Sequence, residues 1–341
     1  MLPTMALGAK EPSRGERSKR HPSSPLSIFF SSAKSFPVSP GPRIDPERVA
    51  GYYIDLRAKP AQVDWPPDWV VPGEGYVDVI QWGLGAYERY LAGEGDSWLE
   101  RALAVGRYLM DAQCRDGPRT GGWEHLFEFP HTYRLQPPWL SAMAQGEGAS
   151  LLVRLHMATG EDAFANAAVQ ALRPMAVPTA EGGVQALLDG RPLPEEYPTD
   201  PPAFVLNGAI FSLWGYLDVH LGLGHTEAGR AFEVGISTLA LNIHRWDLGY
   251  WSRYDLYPHP VPNIASIAYH LLHIGQLRVL TQLTLRPEFG LMLERFKEYQ
   301  ASRAKRIKAT TRKMLFRLLV PRNPLLAKRV MRTRARRPSA T

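Results

Sequence analysis

The chain has 341 residues, enough to bury a sizeable core, and its 45% hydrophobic and 21% charged content is that of a globular protein. One cysteine, Cys114, excludes an internal disulfide framework and any cysteine-built metal site, and no apolar run approaches the roughly 18 residues that span a bilayer. The net charge of +7 is unevenly spread: residues 301–341 hold fourteen Lys or Arg and no acid, residues 1–43 hold seven basic and two acidic side chains, and residues 44–300 carry net −12. The high isoelectric point therefore describes two basic arms flanking an acidic body.

In chain order, residues 1–43 are rich in Ser, Pro, Lys and Arg without periodicity, and disorder is expected there. The apolar spot Leu26–Phe30 is too short for the hydrophobic region of a signal peptide, so a location in the cytoplasm or at a membrane surface is expected. Gly51 to Gly73, with Tyr52, Tyr53, Trp65 and Trp69, predicts an irregular arm packed on the domain. Helical patterns then follow closely. Ile80, Leu84, Tyr87 and Leu91 form one stripe, and Ser97 to Glu100 has the form of a capping box opening a helix through Met110. A third helix is predicted from Ser141 to Met157, and Thr159 as the cap of a fourth that Pro174 ends. Leu206 to Leu217 and Phe232 to Ile243 mark two more, Asn263 is the expected cap of a helix reaching Thr281, and Pro287 opens a short last one.

Helices joined by short Gly- and Pro-rich loops predict an all-α fold of stacked hairpins, closed as an α/α toroid or left open as a solenoid. No fixed-period repeat is visible, which favours the toroid. The expected organisation is a disordered segment 1–43, an α/α-toroid domain 44–300 and a polybasic tail 301–341. In that tail Lys313 to Val320 is an apolar patch suited to an anionic membrane surface or an anionic polymer, against a simple solvated tail. Nucleic acid is not expected: the tail has one aromatic side chain and no binding motif.

Chemistry concentrates in three places. Glu195-Glu196-Tyr197 sits in a loop stiffened by prolines at 192, 194, 198, 201 and 202. Trp246 to Tyr257 gathers rings of the kind that stack on sugars. The helix from Asn263 has an expected buried stripe of Ile264, Ile267, Leu271 and Ile274, and a polar one of Ser266, Tyr269, His273 and Gln276 facing a wet cavity. His270 and His273 lack a metalloprotease pattern, and His244 and His259 have no carboxylate cluster, so neither metal nor cofactor is expected.

Trp139-Leu140-Ser141-Ala142-Met143-Ala144-Gln145-Gly146, Glu195 to Thr199, Phe204-Val205-Leu206-Asn207-Gly208, Tyr254-Asp255-Leu256 and Asn263 to Leu277 occur in that order. Together they resemble the C-terminal catalytic domain of the D-glucuronyl C5-epimerases, over roughly residues 120–290. The resemblance implies an α/α toroid that converts D-glucuronate to L-iduronate in heparosan-type chains, an anionic polysaccharide partner and a homodimer. It further implies catalytic roles for Tyr197, Tyr254, Tyr269 and Glu196, and sugar contacts at Phe127, Glu128, Phe129, Asn207, Asn263, His270 and His273. Two departures stand out. The animal enzymes have a β-rich N-terminal domain that is expected to be missing or replaced here, and an arginine after Tyr-Asp-Leu where this chain has Tyr257; Arg253 is the expected substitute. A uronate lyase and a catalytically lapsed glycan-binding protein are the alternatives.

Overall fold

The computed structural model describes residues 39–60, 70, 72–129 and 132–321. Nine α-helices lie among these residues: α1 Tyr76–Leu91, α2 Ser97–Ala112, α3 Ala142–Thr159, α4 Asp162–Leu172, α5 Leu206–Leu223, α6 Thr226–Asn242, α7 Ile267–Leu283, α8 Pro287–Ala301 and α9 Arg303–Leu319. One antiparallel hairpin, β1 Gln185–Leu188 and β2 Arg191–Pro194, interrupts them, so the described fold is essentially all-α.

The helices pack in two layers. α1, α3, α5 and α7 contact one another in succession, and α2, α4, α6 and α8 each back one of them. The sequence explains the division. Every residue from 142 to 155 in α3 and from 206 to 219 in α5 is buried, as expected of helices covered on all sides. The outer helices instead bury single stripes, such as Phe232, Ile236 and Leu239 of α6 or Phe289, Met292 and Phe296 of α8. Gly146 and Gly215 let α3 and α5 approach closely: a Cβ on Gly215 would lie 2.3 Å from the Gly146 Cα. A buried ion pair ties these two helices, with Arg154 Nη1 donating to Asp218 Oδ2 at 2.6 Å. Arg154 Nη2 donates to the Gly51 carbonyl and the Tyr53 hydroxyl to Asp218, so the N-terminal arm is fastened to the same pair.

Several expectations are corrected. Of the segment expected to be disordered, 1–38 lies outside the described residues, while Gly41 N donates to Tyr53 O and Asp55 N to Ser39 O, so residues 39–43 belong to the arm. Trp65 and Trp69 lie outside the described residues. No capping box forms on α2, whose N-cap is Asp96 without a side-chain bond. Thr159 ends α3 instead of capping α4. Ser266, not Asn263, caps α7, its hydroxyl accepting from Tyr269 N at 3.3 Å. On α7, Ile267 is 41% exposed, whereas Leu272, Leu277 and Leu280 are buried. The cause is that α7 meets α5, α8 and α9 at once, so burial does not follow one stripe. Residues 303–319, set apart in the sequence as a tail, form α9 and pack on α7 and α8.

Candidate active site

The hairpin sets the first catalytic candidates in place. Its second strand continues into Glu195, whose N–H donates to Val184 O (2.8 Å), just ahead of β1, and whose carbonyl accepts from Ala142 N, the first residue of α3 (3.0 Å). The Glu195 side chain turns inward and accepts the N–H of Phe204 at 2.6 Å and of Ala203 at 3.2 Å. Phe204 holds a left-handed φ of 48°, fixed by these bonds and by Trp246 Nε1 donating to its carbonyl. Glu195 is thereby committed to shaping the entry of α5.

Glu196 is free for chemistry. It rests against Gly208 in the first turn of α5, where a Cβ would lie 2.2 Å from Glu196 Oε2. That oxygen is buried and has no hydrogen-bond partner. Burial pushes its carboxyl up to about 8; the hydrogen bond from Tyr197 opposes this and the charge of Asp255 adds to it. Tyr197 packs between Phe129 and Tyr133, ring centroids 4.9 Å from each. Its phenol interacts with Glu196 on one side and Tyr254 on the other, and burial, then the Glu196 charge, raises it well above the usual phenol range.

Tyr254 comes from an extended segment paired with the stretch leading into α7: Tyr254 N donates to Asn263 O at 2.7 Å, and Arg253 bridges Ile264. The Tyr254 carbonyl accepts the first N–H of α5, from Leu206. Its ring meets that of Tyr269, in the first turn of α7, edge to face at 4.8 Å. Burial raises the Tyr254 phenol as well, so Tyr197 and Tyr254 stand as protonated acids at neutral pH.

Beneath this cluster lies a polar network. Asp255 Oδ2 accepts from the Tyr133 hydroxyl, from Asn263 Nδ2 and from His259 Nε2 (3.3 Å). Lys313 of α9 donates to Asn263 Oδ1 at 2.9 Å and to Ile264 O at 2.7 Å, and its ammonium lies 5.7 Å from the Tyr254 ring centroid.

Tyr197, Tyr254, Tyr269 and Glu196, drawn from three separate segments, are thus brought together. Asn207 precedes Gly208 in the first turn of α5, 2% exposed, its Oδ1 without a partner and its Nδ2 4.0 Å from Met143 Sδ. Phe129 stacks on Tyr197, and Phe127 packs on Trp139 at 5.5 Å, but Glu128 is exposed. Arg253 has Asp255 and Arg245 as its charged neighbours, and its buried Nε lacks a partner. Tyr257, the residue after Tyr254-Asp255-Leu256, sets its ring against Tyr133 and His259.

The two α7 histidines are not alike. His270 Nε2 donates to the Phe296 carbonyl (3.0 Å), so the neutral ring has a bare Nδ1, to which Ser252 donates at 2.7 Å. The Ser252 oxygen then accepts from His273 Nδ1 at 3.0 Å, leaving His273 Nε2 as a buried bare acceptor without a partner. Both ring nitrogens of His270, expected as a sugar contact, are therefore engaged with protein groups, and burial lowers it to about 4. His259, expected to stand apart from carboxylates, meets Asp255. Tyr133 and Lys313 were not legible. Tyr133 carried no motif, and Lys313 lay in a tail expected to face a membrane surface, an anionic polymer or solvent, not the body of the domain. No group of three or more potential metal ligands occurs among the described residues.

A model of the D-glucuronyl C5-epimerase C-terminus matches residues 116–298, more than half of the chain. The chain belongs to this family. A D-glucuronyl C5-epimerase of Caenorhabditis elegans is 32% identical over 176 residues, which cover 46% of this chain and 29% of that protein. An uncharacterized protein of Methanocaldococcus jannaschii is 25% identical over 198 residues, 55% of this chain and 62% of that one. The chain thus spans less than two thirds of either relative. In this family member the matched region holds the hairpin, Glu196 and the three tyrosines, whereas α9 lies beyond it.

Proposed function

We propose that this chain is an isomerase that inverts C5 of D-glucuronate to L-iduronate within a heparosan-like polysaccharide. The observation that carries the reading is a run of three phenols, Tyr269 against Tyr254 and Tyr254 against Tyr197, that ends on the buried carboxyl of Glu196, which burial pushes up to about 8. The C5 proton lies next to the uronate carboxylate, and inversion needs a proton acceptor on one ring face and a donor on the other. Tyr197 and Tyr269 form the opposed pair. Ionised Glu196 takes the Tyr197 proton as the Tyr197 oxygen takes the one from C5. The Tyr269 O–H delivers a proton to the opposite face; the proton held by Glu196 then returns through Tyr197 and Tyr254 to Tyr269, which leaves Glu196 ionised and all three phenols protonated. Charge that builds on the uronate carboxylate is met by the Asn207 amide and the positive end of α5. Phe127 and Phe129 line the approach, and the two-layer packing is read as part of an α/α toroid.

The same first step, followed by loss of the group on C4, would be a lyase reaction. The full chain is incubated with heparosan and N-sulfated heparosan in deuterium oxide. Deuterium at C5 with iduronate signals is the expected result. Absorbance of an unsaturated uronate would replace the reading by a lyase, and binding without either by a glycan-binding protein. Tyr197→Phe and Tyr269→Phe should each abolish exchange; activity retained in both overturns the tyrosine assignment.

A further inference from the structure

The helix α9 has two apolar faces, and only one is buried against the described residues. Ala309 and Phe316 are buried against the body, with Phe316 5.0 Å from the His259 ring. At 100° per residue, Ile307, Thr311, Met314 and Leu318 fall on a separate stripe, with Leu315 at its edge. Ile307 is 58% exposed, Met314 64%, Leu318 69% and Leu315 40%. Cations border this stripe on both sides: Arg303, Arg306 and Arg317 on one flank, Lys308 and Arg312 on the other; Arg306 also donates to the Gln300 and Ala301 carbonyls, Arg317 to Thr132, and Lys308 lies over the Tyr250 ring. The helix contains no acid, and the sequence after it, to Thr341, adds seven Lys or Arg and none either. The patch singled out in the sequence is therefore divided, because Phe316 and Lys313 face the body while Met314 and Leu318 face outward.

We infer that α9 is a docking element for an anionic lipid surface, lying in the plane of the interface with its outer stripe in the acyl boundary. The helix is about 25 Å long, and a stripe rimmed by cations matches a bilayer in which apolar chains underlie phosphates. Long Lys and Arg stems can extend from such a rim to headgroups while the stripe is immersed. A polyanionic glycan would be served by the cations alone and gives no reason for four exposed apolar side chains. A partner helix would be served by the stripe alone and gives no reason for the complete lack of acids. No described helix is long and apolar enough to cross a membrane. The inference does not depend on the proposed reaction.

The test is flotation of the full chain with phosphatidylcholine vesicles, with and without about one third phosphatidylglycerol. The chain should float with the anionic vesicles only, and less at high salt. The triple variant Ile307→Ser, Met314→Ser, Leu318→Ser keeps every cation. It should lose about tenfold or more in partitioning with an unchanged melting curve, while Met314→Leu should float as the parent does. Failure of the parent chain to float overturns the inference. So does equal flotation of the triple variant, which would assign binding to the cations alone. Self-association in sedimentation velocity that the triple variant abolishes, without vesicle binding, would assign the stripe to a second copy of the chain.

Discussion

The carboxyl of Glu196 lies on the bare Cα of Gly208. A Cβ there would meet Glu196 Oε2 at 2.2 Å, its Cβ at 2.6 Å and its Cδ at 2.8 Å, so the first turn of α5 tolerates the acid only because it lacks a side chain. Gly208→Ala should therefore push Glu196 away from Tyr197. The expected outcome is a fall in kcat of about tenfold or more, with a stability loss of about 1–3 kcal/mol from overpacking. Deuterium exchange at C5 and denaturant unfolding measure the two separately.

A carboxyl raised to about 8 is neutral at pH 6 and ionised at pH 9. If Glu196 drives proton abstraction, the exchange rate should rise through pH 8 and level off above it. Glu196→Gln should remove that limb. The linked effect on stability has the opposite sense: a carboxyl raised on folding favours the native state below its unfolded value near 4.5, and that advantage is lost as pH climbs through 8. Melting curves of the parent and Glu196→Gln should therefore converge at low pH and separate at high pH, with the parent the less stable.

Lys313 joins a helix outside the family match to Asn263, and through it to Asp255 and Tyr133. Lys313→Met leaves the oxygens of Asn263 and Ile264 without this donor, at a cost of about 1–3 kcal/mol. Steady-state kinetics should show kcat/KM reduced about tenfold, with partial recovery in Lys313→Arg. An unchanged kcat/KM would sink the role given to α9 in the site.

The Arg154–Asp218 pair is 1% and 0% exposed. Asp218→Ala strands a buried guanidinium and should cost about 3–5 kcal/mol. Replacing both, as Arg154→Met with Asp218→Leu, should recover most of that loss in denaturant unfolding.

Outer helices were legible in the sequence because water on one side and core on the other force a stripe, as with Phe232, Ile236 and Leu239. α7 was legible as a helix but not in its faces, since three other helices bury different sides of it. α9 was missed because its basic composition conceals the seven-residue step from Ala309 to Phe316 that anchors it. At the site, the tyrosines and Glu196 stood out through ordered motifs. The commitment of His270 did not, because the carbonyl that occupies it belongs to Phe296, 26 residues away on α8. Lys313 and Asn263 meet across 50 residues, a pairing that no local pattern encodes.

Glu195 starts two helices at once, its carbonyl holding the first N–H of α3 and its carboxyl the two N–H groups that lead into α5. The stretch from Val184 to Phe204 is consequently a strut of fixed length between the two fully buried helices. Insertions at the hairpin tip, around Asp189 and Gly190, can be absorbed outside this strut. One residue added between Glu195 and Ala203 would put the two helix starts out of step and carry Tyr197 off the Tyr254 hydroxyl.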